Sequence, residues 1–117
     1  MSSRLCYKVE KGLQILNKRW TCLIIYQLQS GPQRFGEIQS VIGISKRLLS
    51  ERLKELEEDH IVKREMIVDS SARIVYALTE KGLALSPAVR EIEKWSRAWI
   101  EDENEEEENE GLNAGQG

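Results

Sequence analysis

The sequence is poor in the residues from which metal sites and catalytic centres are built. It contains a single histidine, His60, which belongs to no spaced cysteine or acidic ligand motif, so a zinc site is not expected. It also has no glycine-rich phosphate loop and no evident pairing of a nucleophile with a base. We therefore predict no metal, no cofactor and no enzymatic activity for this chain.

Long apolar runs and cysteines are scarce as well. The longest apolar run lies around residues 23–26, far below the ~20 residues that span a bilayer, and the N-terminus leads into no secretory-type apolar core. These absences argue against a membrane partner and predict a cytoplasmic protein. In that compartment Cys6 and Cys22 are expected to be thiols rather than a structural disulfide.

The negative net charge comes from one end of the chain. The formal charge is −3, but residues 101–117 hold eight of the 20 acidic side chains. Residues 1–100 carry all 17 lysines and arginines against 12 acids, a balance of +5 that suits a polyanionic partner. We predict one folded domain over residues 1–100 and a disordered acidic tail over residues 101–117, which either only solubilises the protein or competes with DNA.

The chain is organised around residues 44–59, which are typical of one helix with two faces. Leucines recur on one face at the four-then-three spacing of a buried stripe: Leu49, Leu53 and Leu56. Ser45 can cap the start of this helix. The opposite face combines cations, a hydroxyl and a carboxylate: Arg47, Ser50, Glu51 and Lys54. This mixture suits base edges and phosphates in a major groove, so we predict a recognition helix, although a core helix with a solvated face shows the same pattern.

Three shorter helices are predicted before it, over residues 7–16, 20–28 and 34–42. The second is the most apolar and is stopped by Gly31 and Pro32. A glycine-containing turn at residues 43–44 joins the third to the recognition helix. Two short helices joined in this way are the sequence form of a helix-turn-helix.

The apolar period changes after His60. Residues 61–68 and 72–78 are rich in β-branched side chains and are separated by a turn at residues 69–71. They predict a β-hairpin, and a hairpin directly after a recognition helix makes a winged helix.

A last helix is predicted to follow Thr79, its cap. Pro87 either starts a second helical segment after a short piece over residues 79–84 or kinks a continuous helix. The apolar stripe of this region ends in Trp95 and Trp99 and exceeds what a small domain covers alone. We interpret it as a dimer helix, the alternative being a helix wrapped on its own core.

Four stretches together resemble the HxlR family of bacterial winged helix-turn-helix regulators, which is related to the wider MarR-type regulators. They are LNKRW at residues 16–20, GPQRFGEI at 31–38, Ile44-Ser45 with LSERLKELE at 49–57, and VYALTEKG at 75–82. They occur in the family's order, and the resemblance covers about residues 6 to 97.

The resemblance implies an α+β, mostly α, winged helix-turn-helix with flanking N- and C-terminal dimerisation helices. It also implies a homodimer that presents two recognition helices to a palindromic operator in double-stranded DNA. Several members resemble sensors of oxidants or electrophiles that use a cysteine just before the first helix, and Cys6 has that position. Three features depart from the family: Tyr7 replaces a common proline, His60 replaces a glycine at a helix end, and the hairpin tip lacks prolines.

Specific roles follow for the DNA-facing residues. Arg47, Ser50 and Lys54 are predicted to contact bases or nearby atoms, and Ser45 adjoins them at the helix start. Three further cations are predicted to contact phosphates: Arg34, Lys46 and Arg73. Arg52 lies towards the buried side of its helix. Two roles are equally compatible with this position, a structural ion pair with a nearby glutamate or a contact with DNA.

Cys6 carries the only covalent chemistry that we predict. A thiol reacts as thiolate, and a position just before a helix with Arg4, Lys8 and Lys11 nearby favours that form. We hypothesise that a thiol-reactive small molecule oxidises or alkylates Cys6, alters the dimer interface and releases DNA. The alternative is an inert cysteine. Cys22 is predicted to be a core residue that could act as a resolving thiol.

The predicted function is a homodimeric transcriptional regulator, a repressor in our interpretation. Two alternatives remain open at this stage. One is a protein-interaction module that keeps the winged helix without reading DNA, and the other is a DNA binder controlled by a non-covalent effector near the dimer helices. The salt dependence of duplex binding separates the first alternative from the regulator.

Overall fold

A computed structural model describes residues 3–102 of the chain; the predicted tail lies outside the described residues apart from Glu101 and Asp102. Five helices and one two-stranded antiparallel sheet form the fold. Their bounds are α1 Ser3–Leu16, α2 Thr21–Leu28, α3 Phe35–Ile42, α4 Lys46–Glu58, β1 Val62–Val68, β2 Ala72–Leu78 and α5 Glu80–Trp99. The predicted winged helix-turn-helix, mostly helical with one hairpin, is confirmed.

The core lies where α2, α3 and α4 meet the hairpin and the first half of α5. Its buried members are Ile24, Ile25, Leu28, Ile38, Ile44, Leu49, Leu53, Leu56, Ile61, Val62, Leu78 and Val89. Burying one such side chain contributes roughly 1.5–3 kcal/mol. The predicted leucine stripe of α4 is therefore the part of that helix that fixes it to the body of the domain.

The turn between α3 and α4 is set by three consecutive residues. Gly43 ends α3 in a left-handed conformation (φ 71°), which glycine adopts without strain. Ile44 is buried in the core, and the Ser45 hydroxyl accepts a hydrogen bond from the backbone N–H of Leu48 at 3.2 Å. This confirms Ser45 as the cap and fixes the direction in which α4 leaves the core.

The hairpin pairs Val62 with Leu78 at its base and Val68 with Ala72 at its tip. A further antiparallel bridge joins the loop before α3 to the second strand, because Gln33 and Tyr76 exchange backbone hydrogen bonds of 3.0 and 2.7 Å. The wing is thus attached to the helix-turn-helix by backbone contacts as well as by side-chain packing.

His60, between α4 and the hairpin, stands where the family has a glycine, and it has a left-handed conformation (φ 59°). Its carbonyl accepts a 2.6 Å hydrogen bond from the Thr79 hydroxyl, and Lys81 Nζ donates to the Asp59 carbonyl at 2.7 Å. Both donors stand at the start of α5. These contacts hold a backbone conformation that costs a non-glycine residue about 1–2 kcal/mol.

One predicted helix start is wrong, and the structure decides between the two possibilities left open at Pro87. α1 begins at Ser3, so Cys6 lies inside this helix and does not precede it. Of the two possibilities for Pro87, the structure has the continuous one: α5 runs through Pro87, and the separate segment over residues 79–84 does not occur. Thr79 caps α5 and Ser86 and Val89 anchor it in the core, while Pro87 and Leu83 are exposed, so water can replace the hydrogen bond that proline cannot donate.

Both flanking helices leave large apolar side chains in solvent. α1 packs chiefly against α2 and exposes Leu5, Tyr7, Val9 and Leu13, while the second half of α5 exposes Ile92, Trp95 and Trp99. Trp99 is 74% exposed. Contiguous apolar surface of this kind on a small domain marks an interaction site.

Candidate nucleic-acid interface

The outer face of α4 presents its polar side chains to solvent. The leucines that bury the opposite face fix the rotation of the helix, and Arg47, Ser50 and Lys54 are all exposed as a result. The Arg47 side chain is 91% exposed, and its guanidinium Nε lies 3.4 Å from the Glu51 carboxylate. An ion pair this exposed is worth about 0–1 kcal/mol, so Arg47 can exchange it for a base edge or a phosphate.

Two predicted phosphate cations lie at the starts of the helices of the helix-turn-helix. Arg34 is the residue before α3, where its backbone N–H donates to the Glu37 carboxylate at 3.3 Å and its side chain is exposed. Lys46 is the first residue of α4 and is also exposed. The positive end of the helix dipole adds to the charge of Lys46, which favours an anion there.

The third predicted phosphate cation, Arg73, is already engaged in the wing. Its guanidinium donates to both carboxylate oxygens of Asp69, at 3.0 and 2.7 Å. The hydrogen bond from Arg73, followed by one from the Ser71 backbone, holds the pKa of Asp69 below its usual range. Arg73 therefore reaches a phosphate only by giving up or sharing the Asp69 carboxylate.

The wing carries a second arginine, Arg64, on β1. The strand register pairs Arg64 with Tyr76 and Arg73 with Ile67, so the two arginines lie on opposite faces of the hairpin. Lys63 pairs with Glu65 at 2.9 Å, whereas no ion pair involving Arg64 occurs within residues 3–102. The alternation of side chains along a strand is enough to predict from the sequence that Arg64 and Arg73 lie on opposite faces of the hairpin. It does not predict which cations form ion pairs.

Arg52 has a structural role. Its Nε donates to the Arg19 carbonyl at 2.9 Å and its NH1 to the Glu55 carboxylate at 3.2 Å, and its side chain is only 18% exposed. Of the two roles left open for Arg52, these contacts favour the ion pair with a glutamate. They also connect the α1–α2 turn to α4.

The two cysteines occupy different environments. Cys6 is exposed on α1, while Cys22 is half-buried on α2, and both are thiols. The Cys22 thiol donates weakly to the Leu16 carbonyl at 3.6 Å, and burial raises its pKa. Cys22 is thus less enclosed than the core position predicted for it, because it lines a surface groove between α2 and α5.

No cluster of three or more histidines, cysteines or carboxylates suited to a metal occurs among the described residues. None of the helices described is long and apolar enough to cross a membrane.

A winged helix whose α4 turns an exposed cationic and hydroxyl face to solvent is the architecture of a DNA-binding transcription regulator. A family model described as HxlR-like helix-turn-helix matches residues 15–104. The chain belongs to this family, and the resemblance noted in the sequence is confirmed.

Individual relatives agree with this assignment. The chain is 50% identical over 100 residues to the HTH-type transcriptional regulator YvaP of Bacillus subtilis, covering 85% of this chain and 93% of YvaP. It is 42% identical over 102 residues to the regulator YodB of the same organism, covering 86% and 91% of the two chains.

Solved structures show the same fold. Reduced YodB matches with a TM-score of 0.71 at 43% identity over 80% of this chain and 93% of that one. YodB has also been solved after diamide treatment and with bound quinone. The oxidised form of the redox regulator HypR matches with a TM-score of 0.75 at 31% identity, covering 81% of this chain and 99% of HypR.

Proposed function

We propose that this regulator is a homodimeric repressor that binds a palindromic operator and responds to oxidants or electrophiles through Cys6. The observation that carries the DNA-binding part is the exposed face of α4, where Arg47, Ser50 and Lys54 project together from a helix fixed by its buried leucines. Arginine and lysine are the usual partners of guanine edges and phosphates, and serine can hydrogen-bond to several bases.

The roles of the individual residues follow from their positions. Arg47, Ser50 and Lys54 read bases or contact atoms beside them, and Ser45 keeps the helix start in place while its backbone approaches the DNA. Arg34 and Lys46, exposed at helix starts, neutralise phosphates. Arg73 contacts a phosphate from the wing once its ion pair with Asp69 opens or is shared with the phosphate. Arg64 adds a second positive charge on the other face of the hairpin.

The homodimer is supported by the apolar faces of the two flanking helices. Leu5, Val9 and Leu13 on α1 share one side of the helix, and Ile92 and Trp95 are exposed on α5. In a dimer that buries these faces against each other, a two-fold axis would relate the two α4 helices. Two such helices fit major-groove half-sites about 34 Å apart, or a multiple of that distance.

The thiol response is supported by the exposure of Cys6 and by the relatives. Reagents can reach Cys6 because it lies on the outer part of α1. YodB has been solved in reduced, diamide-treated and quinone-bound forms, and HypR in reduced and oxidised forms. A modification on α1 changes the surface that the two subunits share, and so the separation of the two α4 helices.

Operator binding with and without diamide or a quinone tests this proposal in the wild type and in Cys6→Ser. We expect the wild type to lose affinity after treatment and Cys6→Ser to keep it, with the same affinity for both proteins under reducing conditions. An equal response of the two proteins would remove Cys6 from the mechanism and leave DNA binding intact. Non-covalent ligands that shift binding of Cys6→Ser would identify a different effector.

A further inference from the structure

Cys6 and Cys22 each lie on an exposed apolar surface, and the two surfaces are complementary. We propose that α1 of one protomer occupies the groove between α2 and α5 of its partner, and that oxidation joins Cys6 of one protomer to Cys22 of the other. This inference rests on the proposed homodimer and thiol response, and it names the residue that completes the redox reaction.

Cys6 lies on the same side of α1 as the apolar stripe. Leu5, Val9 and Leu13 are spaced by four residues and are 64%, 51% and 46% exposed. Cys6 precedes Val9 by three residues and Leu13 by seven, spacings that place side chains on one side of a helix. A groove that receives this stripe therefore also receives the Cys6 thiol at its edge.

Cys22 lines such a groove. The groove has a volume of about 470 Å³ and is mostly apolar, with walls that include Leu23 and Tyr26 from α2 and Ile92 from α5. Leu23 and Ile92 are about half exposed, at 49% and 47%, although they are large aliphatic side chains on well-packed helices. When a second apolar helix fills this groove, apolar surface of both partners is removed from water, which is favourable.

Charge favours a second copy of α1 as the occupant. The exposed charges of α1 are three cations and one carboxylate, 3 − 1 = +2, with Lys8 nearest to the apolar stripe among the cations: Arg4, Lys8, Lys11 and Glu10. The groove is bordered by three carboxylates and one guanidinium: Glu93, Glu101, Asp102 and Arg97. A helix of net positive charge is attracted electrostatically to an acidic rim, and this attraction adds to the free energy of apolar burial. It also favours one orientation of the helix in the groove over the others.

The two cysteines of one protomer cannot pair with each other. Cys22 Sγ lies 3.6 Å from the carbonyl of Leu16, at the C-terminal end of α1. Cys6 is ten residues earlier on the same helix, which places it about 15 Å away along the helix axis. Disulfides need Cα atoms no more than about 7 Å apart, so the partner of Cys22 must come from another chain.

The chemistry balances with a diazene such as diamide as the oxidant. The exposed Cys6 thiol loses its proton, the resulting thiolate adds to one nitrogen of the N=N bond to form an S–N bond, and the proton ends on the other nitrogen. The thiolate of Cys22 from the partner subunit then attacks the Cys6 sulfur; the S–S bond forms, the S–N bond breaks, and the leaving hydrazide takes the Cys22 proton. Two thiols are oxidised to one disulfide and the diazene is reduced to a hydrazine.

Burial gives the second step a pH dependence. It raises the pKa of the Cys22 thiol, so the attacking thiolate is scarce at neutral pH. The rate of disulfide formation is therefore expected to keep rising with pH into the alkaline range.

Mixed dimers test the pairing directly. Cys6→Ser and Cys22→Ser chains carrying different tags are co-expressed, purified through both tags, treated with diamide and run on a non-reducing gel. We expect these heterodimers, which retain one Cys6 and one Cys22 on different chains, to form a covalent dimer. Homodimers of either variant, treated in parallel, are expected not to cross-link. Cys22→Ala replaces Cys22→Ser if the serine chain is insoluble.

The cross-linked residues are identified by digesting wild-type protein with trypsin after oxidation. The proposal requires a disulfide between peptide 5–8, which contains Cys6, and peptide 20–34, which contains Cys22. Covalent dimers of Cys22→Ser would show that two Cys6 thiols pair instead, and uncross-linked heterodimers would also overturn the proposal. Sedimentation under reducing conditions separates the failure of the Cys6–Cys22 pairing from the failure of the proposed homodimer. A dimer that does not cross-link contradicts the pairing alone, whereas a monomer contradicts the proposed function as well.

Discussion

Lys18 Nζ lies 3.0 Å from Glu55 Oε2, and this ion pair connects the turn that follows α1 to the recognition helix α4. Arg52 of α4 reinforces the connection through the carbonyl of Arg19, at 2.9 Å. The helix that carries Cys6 thus ends in a turn attached at two points to the helix that faces DNA. A displacement of α1 has a direct path to α4 through these contacts.

The two contacts are expected to differ in strength. Arg52→Ala removes a hydrogen bond to the Arg19 carbonyl and a partly buried contact with Glu55, so we expect it to lower the free energy of unfolding by about 1.5–3 kcal/mol. Lys18→Ala removes an ion pair whose lysine side chain is 48% exposed, which is worth about 0–1 kcal/mol. Urea denaturation measures both, and equal effects would contradict this ranking.

Base and phosphate contacts are separable by mutation. Arg47→Ala is expected to cost about 1–3 kcal/mol of operator binding and to blur the sequence preference, since we propose that its exposed guanidinium contacts a base edge. Lys46→Ala is expected to weaken binding to all duplexes alike and to reduce the salt slope by about 1. Binding titrations at several salt concentrations distinguish them, with Arg90→Ala on α5 as the control. If Arg47→Ala leaves the preference unchanged, Arg47 does not read bases.

The Asp69–Arg73 pair limits the charge of the wing. Asp69→Asn keeps an acceptor for the Ser71 N–H but removes the carboxylate, so we expect Arg73 to become available to phosphate, tightening non-specific DNA binding and steepening the salt slope by about 1. Fluorescence anisotropy with a random duplex measures this, and Arg73→Ala should change binding in the opposite direction. An unchanged slope in Asp69→Asn would place Arg73 away from the phosphates.

The same pair affects stability at acid pH. The pKa of Asp69 is lower in the folded protein than in the unfolded chain, so ionisation of this carboxyl group stabilises the folded state. The stabilisation is present above the unfolded pKa and is lost as pH falls through the lowered folded pKa. Acid denaturation of Asp69→Asn should therefore lack this part of the pH dependence that the wild type shows.

The exposed part of α5 is expected to hold the dimer together. Ile92→Glu places a charge on a residue that is 47% exposed in one protomer, so it should leave the fold intact and shift the protein to monomer. Leu83→Glu is the matched control, because Leu83 is also exposed on α5 but lies nine residues away, on the opposite face. Sedimentation velocity reports the result, and a dimer that survives Ile92→Glu would move the interface elsewhere.

Most of the architecture could be predicted because it depends on local periodicity. The leucine spacing of α4, the glycine at residue 43 and the alternation in the hairpin are each visible in a few neighbouring residues. Pro87 left two possibilities open because its local preference opposes a helix interior, whereas the burial of Ser86 and Val89 on either side keeps α5 continuous. Tertiary packing outweighs local propensity there.

The candidate site could be predicted only in part, for a similar reason. Exposure of Arg47, Ser50 and Lys54 follows from helical geometry once the buried face is known. The engagement of Arg52 with the Arg19 carbonyl depends on contacts between residues 33 positions apart, which no local pattern encodes. The start of α1 at Ser3, and with it the position of Cys6 inside a helix, is missed when the apolar stripe is followed only from Tyr7, although serine, a favoured residue at helix starts, occupies residues 2 and 3.

We propose that two copies of the exposed α4 face, one from each protomer, act together on DNA. Selection of bound duplexes from a random library by the reduced, full-length protein tests it most directly. We expect enrichment of an inverted repeat whose half-site centres lie about 34 Å apart or at a multiple of that distance, and we expect Arg47→Ala to lose this enrichment. Enrichment of a single half-site, or of no sequence at all, would contradict it.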